Sequence, residues 1–220
     1  MCIRDRLRIA GRPIAFAEIG GTRNEWWALR ARKRLWEQPV LDAFATAIRP
    51  DDVVYDVGAW IGPYTLLASQ LVGPGGRVVS FEPDPEARRQ LERNIALSGA
   101  RNVHVLPIAL SDHNGTARLS GNESEAVVGS TGALEVQTMT LPDLIAQEGG
   151  PDVVKVDIEG GELRIDIDTL SRARNVFLEI HVQPFRDAGV DPDGYLAGVA
   201  AGRPIVRLEG DAENFNVRIG

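Results

Sequence analysis

Two groups of residues in this chain carry types and spacings that can do chemistry. The first is Val53-Val54-Tyr55-Asp56-Val57-Gly58-Ala59-Trp60-Ile61-Gly62, followed by Glu82 at the end of Arg77-Val78-Val79-Ser80-Phe81-Glu82. Gly58 and Gly62 let a backbone approach a ligand where a Cβ would collide. Glu82 offers a carboxylate to both hydroxyls of a ribose. The segment therefore reads as the holder of a nucleoside-bearing cofactor. The second group is Lys155, Asp157 and Glu159, spaced by two, with Glu179 and His181 further on. An extended backbone points each set to one face. Histidine titrates at about 6.5 when unperturbed, and a neighbouring carboxylate raises its basicity. His181, Asp157 and Glu159 are thus candidates to remove a proton from a weak acid. The same oxygens and imidazole can instead hold Mg²⁺ or a similar ion, so a divalent metal stays open. The plainer readings are an internal ion pair for Lys155 and a structural histidine for His181. Glu162 either caps a following helix, where the dipole favours a carboxylate, or faces the pocket.

The elements that must position these groups follow from apolar patterning. Val53 to Val57 is too apolar for a half-solvated strand and predicts one buried on both faces, as in a parallel sheet. A helix follows from Gly62 to about Leu71, with Pro63 in its first turn, and Gly73-Pro74-Gly75-Gly76 ends it. The second strand, ending in Glu82, leads to a helix from Pro85 to about Leu97 that Asp84 caps. Val103 to Leu106, Pro151 to Asp157 and Asn175 to His181 read as further strands. Gly115 to Leu119 and Leu134 to Thr138 read as a pair, flanking a loop at 120–133 that is a candidate lid or a surface loop. Two more strands are expected around Gly210-Asp211. This alternation predicts an α/β fold with a doubly wound, mostly parallel, Rossmann-like sheet and helices on both faces. Residues 1–50 read as an N-terminal elaboration. It has a hairpin around Gly11-Arg12-Pro13, a helix capped by Asn24 through Trp26, Trp27 and Trp36, and a second helix from Pro39 to Ile48. Residues 51–220 form the main domain.

Open α/β sheets bind ligands beyond the carboxyl ends of their strands. Asp56, Gly58, Ala59, Gly62 and Glu82 are therefore assigned to the cofactor. Ser111 and Asp112, after the third strand, are placed to meet its base, with turn capping the competing role of Asp112. Nicotinamide-binding folds want G-x-G-x-x-G, whereas Trp60 stands inside this turn. The spacing Asp56-x-Gly58-x-x-x-Gly62 suits S-adenosylmethionine (SAM) better.

Composition bounds the rest. The chain has 220 residues, enough for a full sheet with its helices, and 44% hydrophobic with 25% charged residues is ordinary for a globular domain. A formal charge of −7 argues against a general nucleic-acid surface. Cys2 is the only cysteine, which excludes an internal disulfide or a cysteine metal cluster. There is no run of about eighteen apolar residues to span a membrane. Met1 to Arg6 lacks the apolar core of a signal peptide and fits nothing downstream, so it is expected to be non-native and the protein cytoplasmic. Lys33 and Lys155 are the only lysines, best explained by coding bias.

Six motifs converge on one family. Asp56-Val57-Gly58-Ala59, Phe81-Glu82-Pro83, Asn102-Val103, Ala109-Leu110-Ser111-Asp112, Lys155-Val156-Asp157-Ile158-Glu159-Gly160-x-Glu162 and Glu179-Ile180-His181 occur in that order. Together, over roughly residues 35–182, they resemble the FkbM family of SAM-dependent O-methyltransferases. The chain departs from the family at Trp60, where Asn is common, and at Pro63, where an aromatic or small residue is. The resemblance implies SAM as cofactor and a hydroxyl of a sugar, glycan or polyketide as acceptor. The competing readings are an NAD-dependent oxidoreductase and a non-catalytic SAM-binding protein. Substrate and oligomeric state are not legible.

Overall fold

The computed structural model describes residues 5–16, 36–121, 127–129 and 131–220. An antiparallel hairpin, β1 (Asp5–Ile9) and β2 (Arg12–Phe16), turns where the sequence predicts it. The predicted helix at Asn24, Trp26 and Trp27 lies outside the described residues. Then follow α1 (Gln38–Ala47), β3 (Val53–Val57), α2 (Pro63–Val72), β4 (Arg77–Phe81), α3 (Pro85–Ser98) and β5 (Val103–Leu106). Asp84 caps α3 as predicted, accepting from the backbone N–H groups of Glu86 and Ala87.

After β5 the chain does not return at once to the main sheet. β6 (Ile108–Leu110), β7 (Gly115–Ser120), β8 (Val127–Gly129) and β9 (Leu134–Met139) build a separate four-stranded sheet in the order β6-β9-β7-β8. The pairing of β7 with β9 is the predicted one; β6 and β8 are short strands that composition did not signal. The chain then runs α4 (Leu141–Glu148), β10 (Val153–Val156), a 3₁₀ turn at Glu162–Arg164, α5 (Ile167–Leu170) and β11 (Asn175–His181). It ends with α6 (Val182–Ala188), α7 (Pro192–Ala200), β12 (Ile205–Gly210) and β13 (Asn214–Ile219).

The main sheet has seven strands in the order β12-β13-β11-β10-β3-β4-β5. The run from β11 to β5 is parallel, and β13 pairs antiparallel with both β11 and β12. Strand order reverses between β3 and β10, whose adjacent carboxyl ends define a topological switch point. Alternation along each strand feeds two cores. Tyr55, Val57, Val79, Phe81, Val154, Val156, Leu178 and Ile180 enter one, with Leu144, Leu170, Phe185 and Val199 from α4 to α7. Val54, Val78, Val153 and Phe177 enter the other, with Phe44 from α1, Leu67 from α2, and Leu7, Ile9, Ile14 and Phe16 from the hairpin.

Candidate functional site

The second core does not stay apolar to the strand ends. One step beyond Val54, Val78 and Val153, the same face carries Asp56, Ser80 and Lys155, which lie side by side in register. Asp56 is buried and accepts from Thr65 Oγ1 at 2.5 Å, and Thr65 in turn meets Ser80 Oγ at 2.8 Å. Burial raises the Asp56 carboxyl, and the charge of Lys155 pulls it back. Lys155 Nζ reaches Asp157 Oδ2 at 2.9 Å and lies 4.5 Å from the centroid of the Tyr64 ring. Two β-strand steps thus carry the sheet face from a hydrocarbon core to a charged one.

A cavity of about 410 Å³ opens at the switch point. Gly58, Ala59 and Trp60 wall it from the β3–α2 turn, Glu82 from the end of β4, and Asp157 and Glu159 from the end of β10. Gly58 is held at φ 83°, and a Cβ there would lie 1.8 Å from the Asp157 carbonyl oxygen, so only glycine lets the two strand ends meet. The Glu82 carboxylate accepts from the Trp60 N–H at 2.7 Å and the Asp84 N–H at 2.9 Å. Those two bonds fix its position on the cavity wall. Burial nevertheless pushes its carboxyl up to about 7, against the pull of the two N–H groups. Trp60 sits at φ 48°, a left-handed conformation that Asn tolerates far better than an indole.

Not every residue assigned from sequence reaches this wall. Asp56 lies beneath it, sealed by Thr65 of α2. Gly62 starts α2 in a left-handed conformation, φ 95°, and a Cβ there would come within 2.5 Å of Leu91 Cδ1 in α3, so glycine serves the helix start and its packing. Ser111 is buried and gives its backbone N–H to Met139, because β6 carries this segment into the second sheet. Asp112 is exposed and pairs with His113 at 2.7 Å. The segment from Ile108 to Leu110, just before this pair, lines the cavity instead.

At the end of β10 the chain turns sharply, with Glu159 at φ 53° and Gly160 at φ 95°. Glu162 is fully buried under this turn and accepts from the N–H groups of Ile158 at 3.3 Å and Gly160 at 3.2 Å. It neither caps a helix nor lines the cavity. His181 stands between two carboxylates, Nε2 at 3.2 Å from Glu159 Oε2 and Nδ1 at 3.3 Å from Glu162 Oε1. Burial disfavours its cation, but these two bonds win and push the ring up to about 11. His181 reaches the cavity through Glu159 and not directly. Glu179 does line it, within hydrogen-bonding reach of Asp157, and burial and the Asp157 charge push it up to about 8.

Among the polar lining residues, Glu37, Tyr64 and Arg164 carry no signal in the sequence. Glu37, just ahead of α1, accepts from the Tyr64 hydroxyl at 2.5 Å, and burial pushes its carboxyl up to about 7. Arg164 comes from the 3₁₀ turn. None of the three lies at a strand end, where residue spacing gives a signal. The wall carries the carboxylates of Glu37, Glu82, Asp157, Glu159 and Glu179 against the cations Lys155 and Arg164. Its size falls in the range of small-molecule sites, about 300–1,000 Å³, and its many carboxyl groups offer hydrogen-bond partners to a polar ligand such as SAM.

Comparison with known proteins agrees. The methyltransferase FkbM domain family matches residues 56–199. A hexuronic acid methyltransferase, AglP, of Haloferax volcanii is 29% identical over 181 residues, covering 76% of this chain and 69% of the relative. The 31-O-demethyl-FK506 methyltransferase FkbM of Streptomyces tacrolimicus is 30% identical over 197 residues, covering 70% and 71%. Among solved structures, a precorrin-6y C5,15-methyltransferase from Geobacter metallireducens superposes with a TM-score of 0.53 at 17% identity. It covers 83% of this chain and 87% of that one. That likeness carries the fold.

Proposed function

The chain belongs to the FkbM methyltransferase family, and on that premise we propose that it methylates a hydroxyl of a sugar, glycan or polyketide at the cavity described above. It is a SAM-dependent methyltransferase, and the family assignment sets aside the NAD-dependent reading. SAM supplies an electrophilic methyl group on a sulfonium cation. One relative is named for a hexuronic acid and the other for a 31-O-demethyl substrate, which supports an oxygen acceptor. The carboxylate-rich wall supports a neutral hydroxyl over an anionic group at the reacting end.

The roles follow from position. Glu82 holds the ribose, its carboxylate fixed by Trp60 and Asp84. The Gly58–Ala59 turn brings backbone close to the cofactor, and Asp56 ties β3 to α2 beneath it through Thr65. Ser111 and Asp112 act behind the cavity and not at it. Asp157 and Glu159 receive the acceptor hydroxyl and draw on its proton. His181 orients Glu159. An enclosed site helps by holding both reactants in line and excluding water. Residues 51–220 serve as the methyltransferase domain and 1–50 as an elaboration whose hairpin packs into the second core. Among the described residues no helix is long and apolar enough to cross a membrane; we place the reaction in the cytoplasm, with no nucleic acid as acceptor.

The observation that carries this reading is Glu82, a buried carboxylate pinned at the end of β4 on the cavity wall. Calorimetric titration tests it. SAM binds the wild-type chain, NAD does not, and Glu82→Ala weakens SAM by roughly tenfold or more through lost charge-assisted hydrogen bonds. Unchanged SAM affinity in Glu82→Ala, or tight binding of NAD, would count against it.

A further inference from the structure

The carboxyl ends of β10 and β11 bring Asp157, Glu159 and His181 together, and one ligand atom from each lies within 4.8 Å of the others. All three side chains are partly buried, and two of them wall the cavity. What separates this group from a chance gathering of acids is the way its histidine is held. Glu162 has no exposure, and its Oε1 is locked by the N–H groups of Ile158 and Gly160. It faces His181 Nδ1 at 3.3 Å. A fixed buried carboxylate at Nδ1 keeps the hydrogen there and leaves Nε2 as the nitrogen available to a cation. A carboxylate behind a ligating histidine is how metal sites set tautomer and ring orientation. Nε2 already points to Glu159 Oε2 at 3.2 Å.

Asp157 is fixed by a neighbour as well: Lys155 engages it through Oδ2. Glu179 sits against Asp157. The second oxygen of Glu162 is buried with no hydrogen-bond partner among the described residues. We propose that Asp157, Glu159 and His181 Nε2 form a divalent cation site at the cavity lip, with Glu162 as the positioning residue behind the histidine. Two carboxylates and one imidazole suit Mg²⁺ or Mn²⁺ over softer ions. Three protein ligands leave positions open for water and for an acceptor's oxygen, where a cation makes a hydroxyl more acidic. That purpose rests on the methyltransferase reading, whereas the site and its test do not.

The test uses the full chain, stripped with a chelator and dialysed, with no SAM present. Mn²⁺ is titrated in, and the free ion is followed by electron paramagnetic resonance. About one Mn²⁺ per chain is expected to lose its free-ion signal, and Mg²⁺ to compete for it. Glu162→Gln should weaken Mn²⁺ by roughly 10–100-fold while leaving binding stoichiometric, the effect typical of removing the group behind a ligating histidine. Glu159→Gln, at a partly exposed position that tolerates the change, should weaken it by at least as much. Circular dichroism establishes that each variant is folded. Absence of saturable Mn²⁺ binding, or binding that neither variant alters, would overturn the proposal. Because SAM titration is a separate experiment, failure of Mn²⁺ binding with SAM binding intact sinks this site alone.

Discussion

The two faces of the central sheet are made by the same strands and end differently. On one face Val57, Phe81, Val156, Leu178 and Ile180 keep the core apolar to the strand ends, where α4 to α7 cover most of it and only Val57 and Phe81 meet the cavity. On the other, Asp56, Ser80, Lys155, Glu179 and His181 replace hydrocarbon over the last steps of β3, β4, β10 and β11. The first face is optimised for burial, at roughly 25 cal/mol per Å² of apolar surface removed from water. The second gives up that term to gather charges at a cavity. The contrast is sharpest at adjacent positions of one strand, Leu178 and Glu179, which point opposite ways. Stability and chemistry are thus separated by a single residue step.

That separation can be broken by substitution. Leu178→Ala removes a fully buried side chain from the apolar face and should cost about 3 kcal/mol. Its denaturation midpoint should fall, while SAM affinity measured well below the transition stays at the wild-type value. A large loss of affinity in the folded protein would show that the faces are coupled. Glu159→Gln, on the other side, should lower kcat by roughly a hundredfold, about 2.7 kcal/mol in the barrier. Its melting temperature should fall far less than that of Leu178→Ala, since Glu159 is partly exposed and gives up only its bond to His181. Equal melting loss in both variants would erase the distinction.

The smallest effect is a pH signature that only the polar face can produce. Glu37 and Glu179 are raised from 4.5 to about 7 and about 8, so the folded chain keeps protons that the unfolded chain releases. Their stabilising contribution is complete below about 4.5 and is lost as pH rises through 7 to 8. His181, raised from 6.5 to about 11, adds a contribution present below 6.5 and lost as pH climbs toward 11. Melting temperature of the metal-free chain should therefore decline from pH 5 to 9. Glu179→Gln should flatten the lower part of that decline, and Leu178→Ala should shift the curve without changing its slope. A decline unchanged in Glu179→Gln would remove that carboxyl from the account.

How far the site could be read from sequence follows the same division. β3, β4, β10 and β11 are legible because buried parallel strands are nearly continuous apolar runs. Any charge at their ends, such as Glu82 or Asp157, then stands out. Asp56 stands out equally, yet it points beneath the cavity, because a strand's period decides which face a residue takes and not how near the end it lies. Ser111 and Asp112 stand off the cavity wall for a topological reason: β6, only three residues long, carries the chain into a second sheet. Gly62 looked like a ligand contact and is a packing contact with Leu91, since glycine answers either demand. Glu37, Tyr64 and Arg164 were invisible because their approach to the cavity is tertiary. Glu162 had two expected roles and takes a third, folding back under its own turn to hold His181.

The central claim is that the charged end of the second face is where a methyl group reaches oxygen. Isotopically labelled SAM, incubated with hexuronic-acid and polyketide acceptors and analysed by fragmentation mass spectrometry, tests it directly. The account predicts label on an acceptor oxygen with the wild-type chain, and a greatly reduced yield with Glu159→Gln under conditions that saturate both with SAM. Saturating SAM binding with no label on any acceptor, or label on nitrogen or carbon, would contradict it.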